Sequence, residues 1–410
     1  MLTVPYQLIY NGCKNKLPMK VTLAHKIRIQ LTPKLITYLR KAVGCSRVAY
    51  NWGLAEWISQ YDSGLKPNGR KLRTQFNQIK KTDYTWVYES PKDANQRPFD
   101  DLQSAFNNFF SGRTKFPKFK KKGINDSFYL SNDQFVIEGD KLRLPLFGWV
   151  KLYESLRFDG KIMSATISHQ ADQWFIAVQV ELEDYSRPRT GSGEIALDFG
   201  LESVYTDQNG NKVKPLSVSP KERRLRRYQR RMDRCKKGSN NRAKMRAKVQ
   251  KLHKQIADRT KDYNHKISKK IVEENQFVYI EDLDIRQWQK RYGKSVKRNC
   301  IGELRRMINY KAELYGTTVV EIDRWFPSSK MCHKTGEYLK DLKLSDRVII
   351  HYDGTETDRD QNAAINIMNE GRRIIGMANP EFTPLEIEPL VPAISGLSSV
   401  DERGNKVYAL

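Results

Sequence analysis

The 410-residue chain contains no apolar run near the length of a membrane span, and Met1-Leu-Thr-Val-Pro-Tyr6 lacks the basic-then-apolar layout of a secretion signal. Both absences predict an intracellular, cytoplasmic protein that does not bind membranes. Cysteine is scarce. Cys13, Cys45, Cys235, Cys300 and Cys332 are scattered, odd in number and form no C-x-x-C pair, which excludes a disulfide framework and fits a reducing compartment. Acidic residues are also outnumbered, with 47 Asp plus Glu against 73 Lys plus Arg and a net charge of +26. The excess runs through most of the chain and mixes with Trp and Tyr. A membrane surface would want it on one tract or one amphipathic helix, so the expected partner is a nucleic acid followed over a long path.

Against that basic background a few acids stand at the ends of apolar runs. Glu194-Ile-Ala-Leu-Asp-Phe-Gly200 reads as a buried strand ending at Asp198, and Ser203 to Thr206 as a second strand before the turn Gln208-Asn-Gly-Asn211. A lone Asp beside a Gly is ordinarily a turn or capping residue. The pattern recurs, however: Phe277-Val-Tyr-Ile280 ends in Glu281, and Asp358 stands just ahead of the periodic stretch Ala363 to Met368. Three carboxylates in one crevice repel one another and resist ionising unless cations neutralise them. Hard divalent ions do this, and a pair of Mg ions serves in-line phosphodiester cleavage. Asp198, Glu281 and Asp358 are thus expected to bind Mg and catalyse.

The amino-terminal part begins with strand-like Tyr6 to Tyr10 and Val21 to Ile29. Thr32-Pro33 then opens a helical region reaching to about residue 115. Within it, Arg47, Tyr50 and Asn51 are candidates for nucleic-acid contact, although Tyr50 and Trp52 read equally as core aromatics. Lys115-Phe-Pro-Lys-Phe-Lys-Lys-Lys-Gly123 interleaves charge with rings, offering phosphate neutralisation and stacking through Lys115, Phe116, Lys118, Phe119, Lys120, Lys121 and Lys122. Evenly spaced strand-like runs from Ser127 to Leu182 suggest a β-barrel, completed by the first strand and interrupted by the helical region. Arg187 to Gly193 reads as a linker. Ser219 to about Lys270 reads as a basic helical hairpin broken at Lys236 to Asn241. One face is an apolar seam of Met245, Val249, Leu252 and Ile256; the other is a cationic wall including Arg223, Arg224, Arg227, Arg230 and Arg231. Arg286 to Lys297 is polar enough to suggest a loop, and alternating strands and helices elsewhere suit an RNase H-like α/β sheet. The Pro-, Glu- and Ser-rich stretch from Met377 reads as a weakly ordered tail.

Leu197-Asp-Phe-Gly200, Tyr279-Ile-Glu-Asp-Leu283, Trp325-Phe-Pro-Ser-Ser-Lys330 and Asp358-Arg-Asp-Gln-Asn-Ala-Ala-Ile-Asn-Ile367, in that order, resemble the RuvC-like nuclease domain of the TnpB family, transposon-encoded relatives of compact type V CRISPR effectors. Arg47 to Asn51 and Phe116 to Lys122 resemble motifs of the family's amino-terminal half. The resemblance implies a multidomain α/β protein. A wedge-type, OB-like β-barrel (1–31 and 116–190) would carry an inserted helical recognition domain (32–115). An RNase H-like RuvC domain (191–324 and 355–376) would follow, with the basic hairpin at 219–270, a degenerate zinc-ribbon, target-nucleic-acid-binding insertion at 325–354 and a tail at 377–410. It also implies an RNA-guided DNA endonuclease: a monomeric ribonucleoprotein whose guide RNA pairs with double-stranded target DNA beside a short motif read by the protein. Asp198, Glu281 and Asp358 would be its catalytic carboxylates, and two Mg ions its cofactors.

The chain departs from the family at the ribbon, which ordinarily carries two C-x-x-C pairs. Here those positions read Cys332-His-Lys-Thr335 and Ile350-His-Tyr-Asp353, so one cysteine of four remains. Cys332, His333, His351 and Asp353 form an improvised ligand set at best, because adjacent side chains rarely chelate at this spacing. Zinc is therefore not expected, and Tyr338, Leu342, Leu344, Val348 and Ile349 are expected to hold the knuckle by packing. Two rival functions remain: a guide-directed repressor, which would have lost carboxylates, and an RNase H-like DNA transposase, which would lack the amino-terminal half.

Overall fold

The computed structural model describes residues 19–185, 191–343 and 345–377. The run Tyr6 to Tyr10, Cys13, most of the linker after Arg187, Leu344 and the tail beyond Met377 lie outside the described residues. The chain divides into two compact units, one of residues 1–188 and 217–263, the other of 189–216 and 264–410.

In the first unit, strand β1 (Met19–Arg28) leads into α1 (Pro33–Asp62), where Thr32 caps the helix by accepting from the Leu35 amide and Pro33 occupies the first turn. Helices α2 (Gly69–Ile79) and α3 (Lys92–Phe110) pack on α1 around Leu54, Leu72, Phe76 and Phe99, and Trp57 stacks on Phe106 at 4.1 Å between ring centroids. Strands β2 (Ser127–Ser131), β3 (Val136–Glu138), β4 (Lys141–Leu144), β5 (Gly148–Lys151), β6 (Lys161–Gln170) and β7 (Gln173–Tyr185) follow. They form an antiparallel sheet in the order β1-β7-β6-β2 and a separate meander β3-β4-β5. The first strand does join the later ones, pairing along β7 from Met19 to Arg28. Among the described residues the expected β-barrel is nevertheless not closed. The two sheets share a core of Ile27, Ile29, Phe128, Leu142 and Ile176, yet one isolated bridge, Ile29 to Leu152, links them.

Two helices complete the basic hairpin, α4 (Ser219–Arg234) and α5 (Asn240–Glu274). Leu225 of α4 packs on Val249 and Leu252 of α5 with Tyr228, Met232 and Ile256 around them, and the turn places Gly238 at φ +85°. That left-handed conformation suits glycine, which lacks the Cβ that would clash.

The second unit is built on strands β8 (Gly193–Asp198), β9 (Tyr205–Asp207), β10 (Lys212–Val213), β11 (Asn275–Glu281) and β12 (Thr318–Ile322), ordered β10-β9-β8-β11-β12. The last three are parallel, β9 and β10 antiparallel. A parallel sheet must be covered on both faces. Leu197, Val278 and Ile280 face the carboxy-terminal end of α5 and α7 (Ile301–Tyr315). Ala196, Tyr279, Val320 and Ile322 face α8 (Arg359–Ile374) through Ile367 and Met368. The segment expected as a loop is instead α6 (Ile285–Asn299), kinked at Tyr292. Asp284 starts it by accepting from the Arg286 and Gln287 amides, and Ile285 and Trp288 are packed against the core. A short antiparallel pair, β13 (Val348–Ile350) and β14 (Glu356–Asp358), precedes α8.

Helix α8 approaches the sheet closely because Gly371 lies against the Tyr279 ring, where any Cβ would overlap ring carbons. Gly371→Ala is expected to destabilise the protein by about 1–3 kcal/mol, the usual cost of overpacking. A lowered urea midpoint at unchanged slope supports this close fit, and an unchanged midpoint contradicts it.

Candidate active site

Strand register brings two of the expected acids together. Leu197 pairs with Ile280 across the parallel strands, so Asp198 and Glu281, the next residue on each, end side by side at the carboxyl edge of the sheet. This is the edge at which open α/β sheets bind ligands. The Asp198 carboxyl is held well above the usual carboxylate range by desolvation, then by the charges of Glu281 and Asp360, with Arg359 and Lys212 opposing. No hydrogen bond or ion pair reaches it among the described residues. Glu281 is also raised by burial, opposed by the Ser328 hydroxyl, which donates to it, and by Arg305. Loop 199–203 behind Asp198 is pinned by buried Asn299, whose Nδ2 donates to the carbonyls of Gly200 at 2.8 Å and Ser203 at 2.9 Å.

Asp358, the third acid expected from the sequence, does something else. It caps α8, accepting from the amides of Asp360 at 3.0 Å and Gln361 at 3.3 Å, and pairs with Lys212 at 2.8 Å. Against a desolvation cost that raises it, Lys212 and the two amides hold Asp358 below its ordinary value. Asp360, two residues on in the first turn, is the acid whose charge bears on Asp198, and it too touches Lys212, at 3.2 Å. Despite its own desolvation, Lys212 is raised by these two carboxylates. An N-cap carboxylate is turned onto the helix amides, and here that carboxylate is Asp358.

With Lys212 holding Asp360 and Ser328 holding Glu281, no three His, Cys, Asp or Glu side chains among the described residues converge on one ion. The donor chemistry still fits a hard divalent cation: all are carboxylate oxygens, and burial, reinforced by the neighbouring acids, disfavours the ionised Asp198 until positive charge arrives. Asp360, Lys212, Ser328 and Asn299 were missed by the sequence reading. Asp360 and Ser328 lie inside motifs already recognised, whereas nothing marked Lys212 or Asn299.

At the knuckle, Cys332, His351 and His333 lie against one another, with the two imidazole rings 4.7 Å apart, while Asp353 is turned away. Cys332 Sγ lies 3.1 Å from His351 Nδ1, and His351 Nε2 is 2.8 Å from the Thr357 hydroxyl. His333 turns to Asn362 at 2.9 Å, and Asp353 pairs with Lys334 at 2.6 Å. The apolar packing expected there is largely missing. Ile349 is buried and Leu342 half-buried, but Tyr338 and Val348 are exposed. Polar contacts hold the knuckle instead, with Asn362 Nδ2 donating to the Met331 carbonyl at 2.6 Å. Cys45, Cys235, Cys300 and Cys332 are free thiols.

The candidate nucleic-acid contacts in the first unit separate into two groups. Asn51 clamps the Lys120 backbone, accepting from its N–H at 2.7 Å and donating to its carbonyl at 3.0 Å. Tyr50 is buried beneath the Lys120 ammonium, 4.2 Å from the ring centroid, and Arg47 pairs with Asp126 at 3.6 Å. These three hold the basic loop in place instead of projecting from it, and Lys120, desolvated and lowered, belongs with them. Lys115, Lys118, Phe119, Lys121 and Lys122 are exposed; Phe116 is exposed as well but edges onto Phe106 and Phe109. Arg223, Arg224, Arg227, Arg230 and Arg231 are also exposed and pair with no carboxylate among the described residues.

Comparison with known proteins agrees with this layout. The OrfB_IS605 family model, described as "Probable transposase", matches residues 177–291, and the model "Cas12f1-like, TNB domain" matches 302–367. A Streptomyces pristinaespiralis protein named "Putative RNA-guided DNA endonuclease" is 32% identical over 364 residues, covering 86% of this chain and 90% of its own. The chain belongs to the TnpB family. InsQ of Escherichia coli K12, which carries the same description, is 28% identical over 395 residues, covering 90% of this chain and 98% of its own. The fold resembles that in the cryo-EM structure of a Cas12f1-sgRNA-target DNA complex, with TM-score 0.56, 12% identity, and coverage of 85% of this chain and 99% of that one. A further model, "Helix-turn-helix domain", matches 19–66, but in this TnpB-family chain that segment is strand β1 followed by the single helix α1.

A carboxyl with a raised folded-state pKa contributes stability at low pH that is lost as pH climbs through that value. In the absence of divalent ions, Asp198→Asn is therefore expected to raise the melting temperature more at pH 8 than at pH 5, by roughly 2–4 °C per kcal/mol of repulsion removed. An equal shift at both pH values would contradict an Asp198 carboxyl raised by its burial and its acidic neighbours.

Proposed function

We propose that this chain is an RNA-guided DNA endonuclease that hydrolyses a phosphodiester with Mg at Asp198, Glu281 and Asp360. The observation that carries this reading is the register of β8 and β11, which sets Asp198 beside Glu281 while Asp360 acts on the same carboxyl. Bound there, a pair of Mg ions would supply an activated water on one side of the phosphorus and charge stabilisation of the leaving oxygen on the other. The protein's part is geometric. Two strand ends and one helix start offer oxygen donors from rigid elements, Ser328 orients Glu281, Asp358 fixes the start of α8 and so the position of Asp360, and Lys212 balances the acids' charge.

The second unit, a mixed sheet covered by helices on both faces, supports an RNase H-like, RuvC-type domain. The two sheets of the first unit support an open counterpart of the wedge barrel, with α1 to α3 as its recognition insert. Guide RNA would pair with the target strand while the protein reads a short motif beside it and holds the hybrid through its backbone. That division of labour explains a net charge of +26 and exposed basic faces on α4 and the 115–122 loop. The names of the relatives point the same way, and the site of action would be nucleoid DNA in the cytoplasm.

The test is cleavage of target plasmid by protein, guide RNA and Mg. Asp198→Ala and Asp360→Asn are each expected to slow cutting by about 10³-fold or more, equivalent to some 4 kcal/mol of barrier. Asp358→Asn should stay within about tenfold, because Asn is an equally good N-cap. A dead Asp358→Asn beside an active Asp360→Asn would reverse the assignment, and cutting that persists once copurifying RNA is stripped would remove the guide.

A further inference from the structure

Trp325 is the most exposed large apolar side chain among the described residues, at 84%. It stands on a loop that is otherwise tied down at every point. The Ile322 carbonyl accepts from the amide of Asp282, the residue after Glu281, at 3.1 Å. Arg324 pairs with the same Asp282, its Nε at 2.9 Å. The Trp325 amide donates to Asp323 Oδ1 at 2.7 Å, an Asx turn that fixes the direction of the chain. Phe326 packs onto the Ala196, Tyr279 and Ile322 cluster, and the Ser328 carbonyl accepts from Asn366 while its hydroxyl donates to Glu281. Residues on both sides of the indole thus bond to the strand end that carries Glu281. Ser328 is three positions after Trp325, so their Cα atoms are at most ~11 Å apart.

An indole buries 150–250 Å² when covered and has few rotamers to lose, so a rigid loop that holds one in water presents a ready-made stacking face. We propose that Trp325 stacks on an unpaired nucleobase of the DNA strand at the Asp198, Glu281 and Asp360 cluster, and so fixes the phosphate to be cut. The proposal rests on the nuclease reading above. The occupant follows from the surroundings. Lys330 follows the loop and suits a polyanion, Arg324 being already paired with Asp282, and a base pair inside a duplex has both faces covered by its neighbours. An unpaired base offers a free ring. Trp325 is therefore a positioning residue whose effect should appear in binding and register more than in the chemical step.

The full-length ribonucleoprotein carrying Asp198→Ala, assembled with the RNA that copurifies, is mixed with target DNA bearing 2-aminopurine at successive positions. Quenching is expected at one unpaired position, lost in the added variant Trp325→Ala and kept in Trp325→Tyr. Loss of that single stack should weaken binding by roughly 5- to 100-fold, and an abasic site at the same position should cancel the difference between variants. Because the side chain is exposed, Trp325→Ala leaves the core intact, and the tyrosine rescue distinguishes a lost ring from a disturbed loop. Wild-type ribonucleoprotein that leaves the DNA uncut overturns the nuclease reading and this proposal with it. Cutting without any position whose quenching depends on Trp325 overturns the stacking site alone, as does a binding loss equal for intact and abasic DNA.

Discussion

Burial of carboxylates side by side at one sheet edge is the constraint around which the second unit is arranged. Asp198 is placed by the sheet and cannot move away from Glu281, because the parallel register and the pinned 199–203 loop hold it. Left alone, such a cluster would favour protonation or local unfolding. The fold offsets it with Lys212 on the short edge strand β10, with the Ser328 hydroxyl, and with an N-cap that spreads the charge of Asp358 over helix amides. All three responses are weaker than a divalent ion would be.

Much of this could be read from the amino acids, and the exceptions share a cause. The ends of β8 and β11 were legible because a short apolar run followed by an acid has few meanings in a buried parallel strand. The start of α8 was legible from the periodicity of Ala363 to Met368. Which of two acids one residue apart would cap that helix was not, although the position just ahead of a helical run is where capping aspartates belong. Asp358 takes that position, while the charge of Asp360 bears on Asp198.

The remaining differences concern contacts distant in sequence. Even spacing of short strands suggested a barrel, but closure depends on which strands pair across the gap, and β3 to β5 are too short to supply more than one bridge to β1. Tyr50 and Asn51 looked available for nucleic acid because polar and aromatic residues on a helix are ambiguous until a partner segment is known, and the partner is Lys120. Helix α6 was taken for a loop on its polarity, though Asp284 ahead of it and Trp288 one turn in were the local signals of a packed helix. At the knuckle, loss of three cysteines was visible. That a Cys332 to His351 contact and a Lys334 to Asp353 pair would stand where metal bonds ordinarily do was not.

The central claim is that Asp198, Glu281 and Asp360, and not Asp358, gather divalent ions. Calorimetric titration of Mn²⁺ into the RNA-free protein tests it without any cleavage step. Wild type and Asp358→Asn are expected to bind alike, and Asp198→Asn, Glu281→Gln and Asp360→Asn at least about tenfold more weakly, a difference of about 1.4 kcal/mol. Binding that survives Asp360→Asn but disappears in Asp358→Asn would contradict the claim.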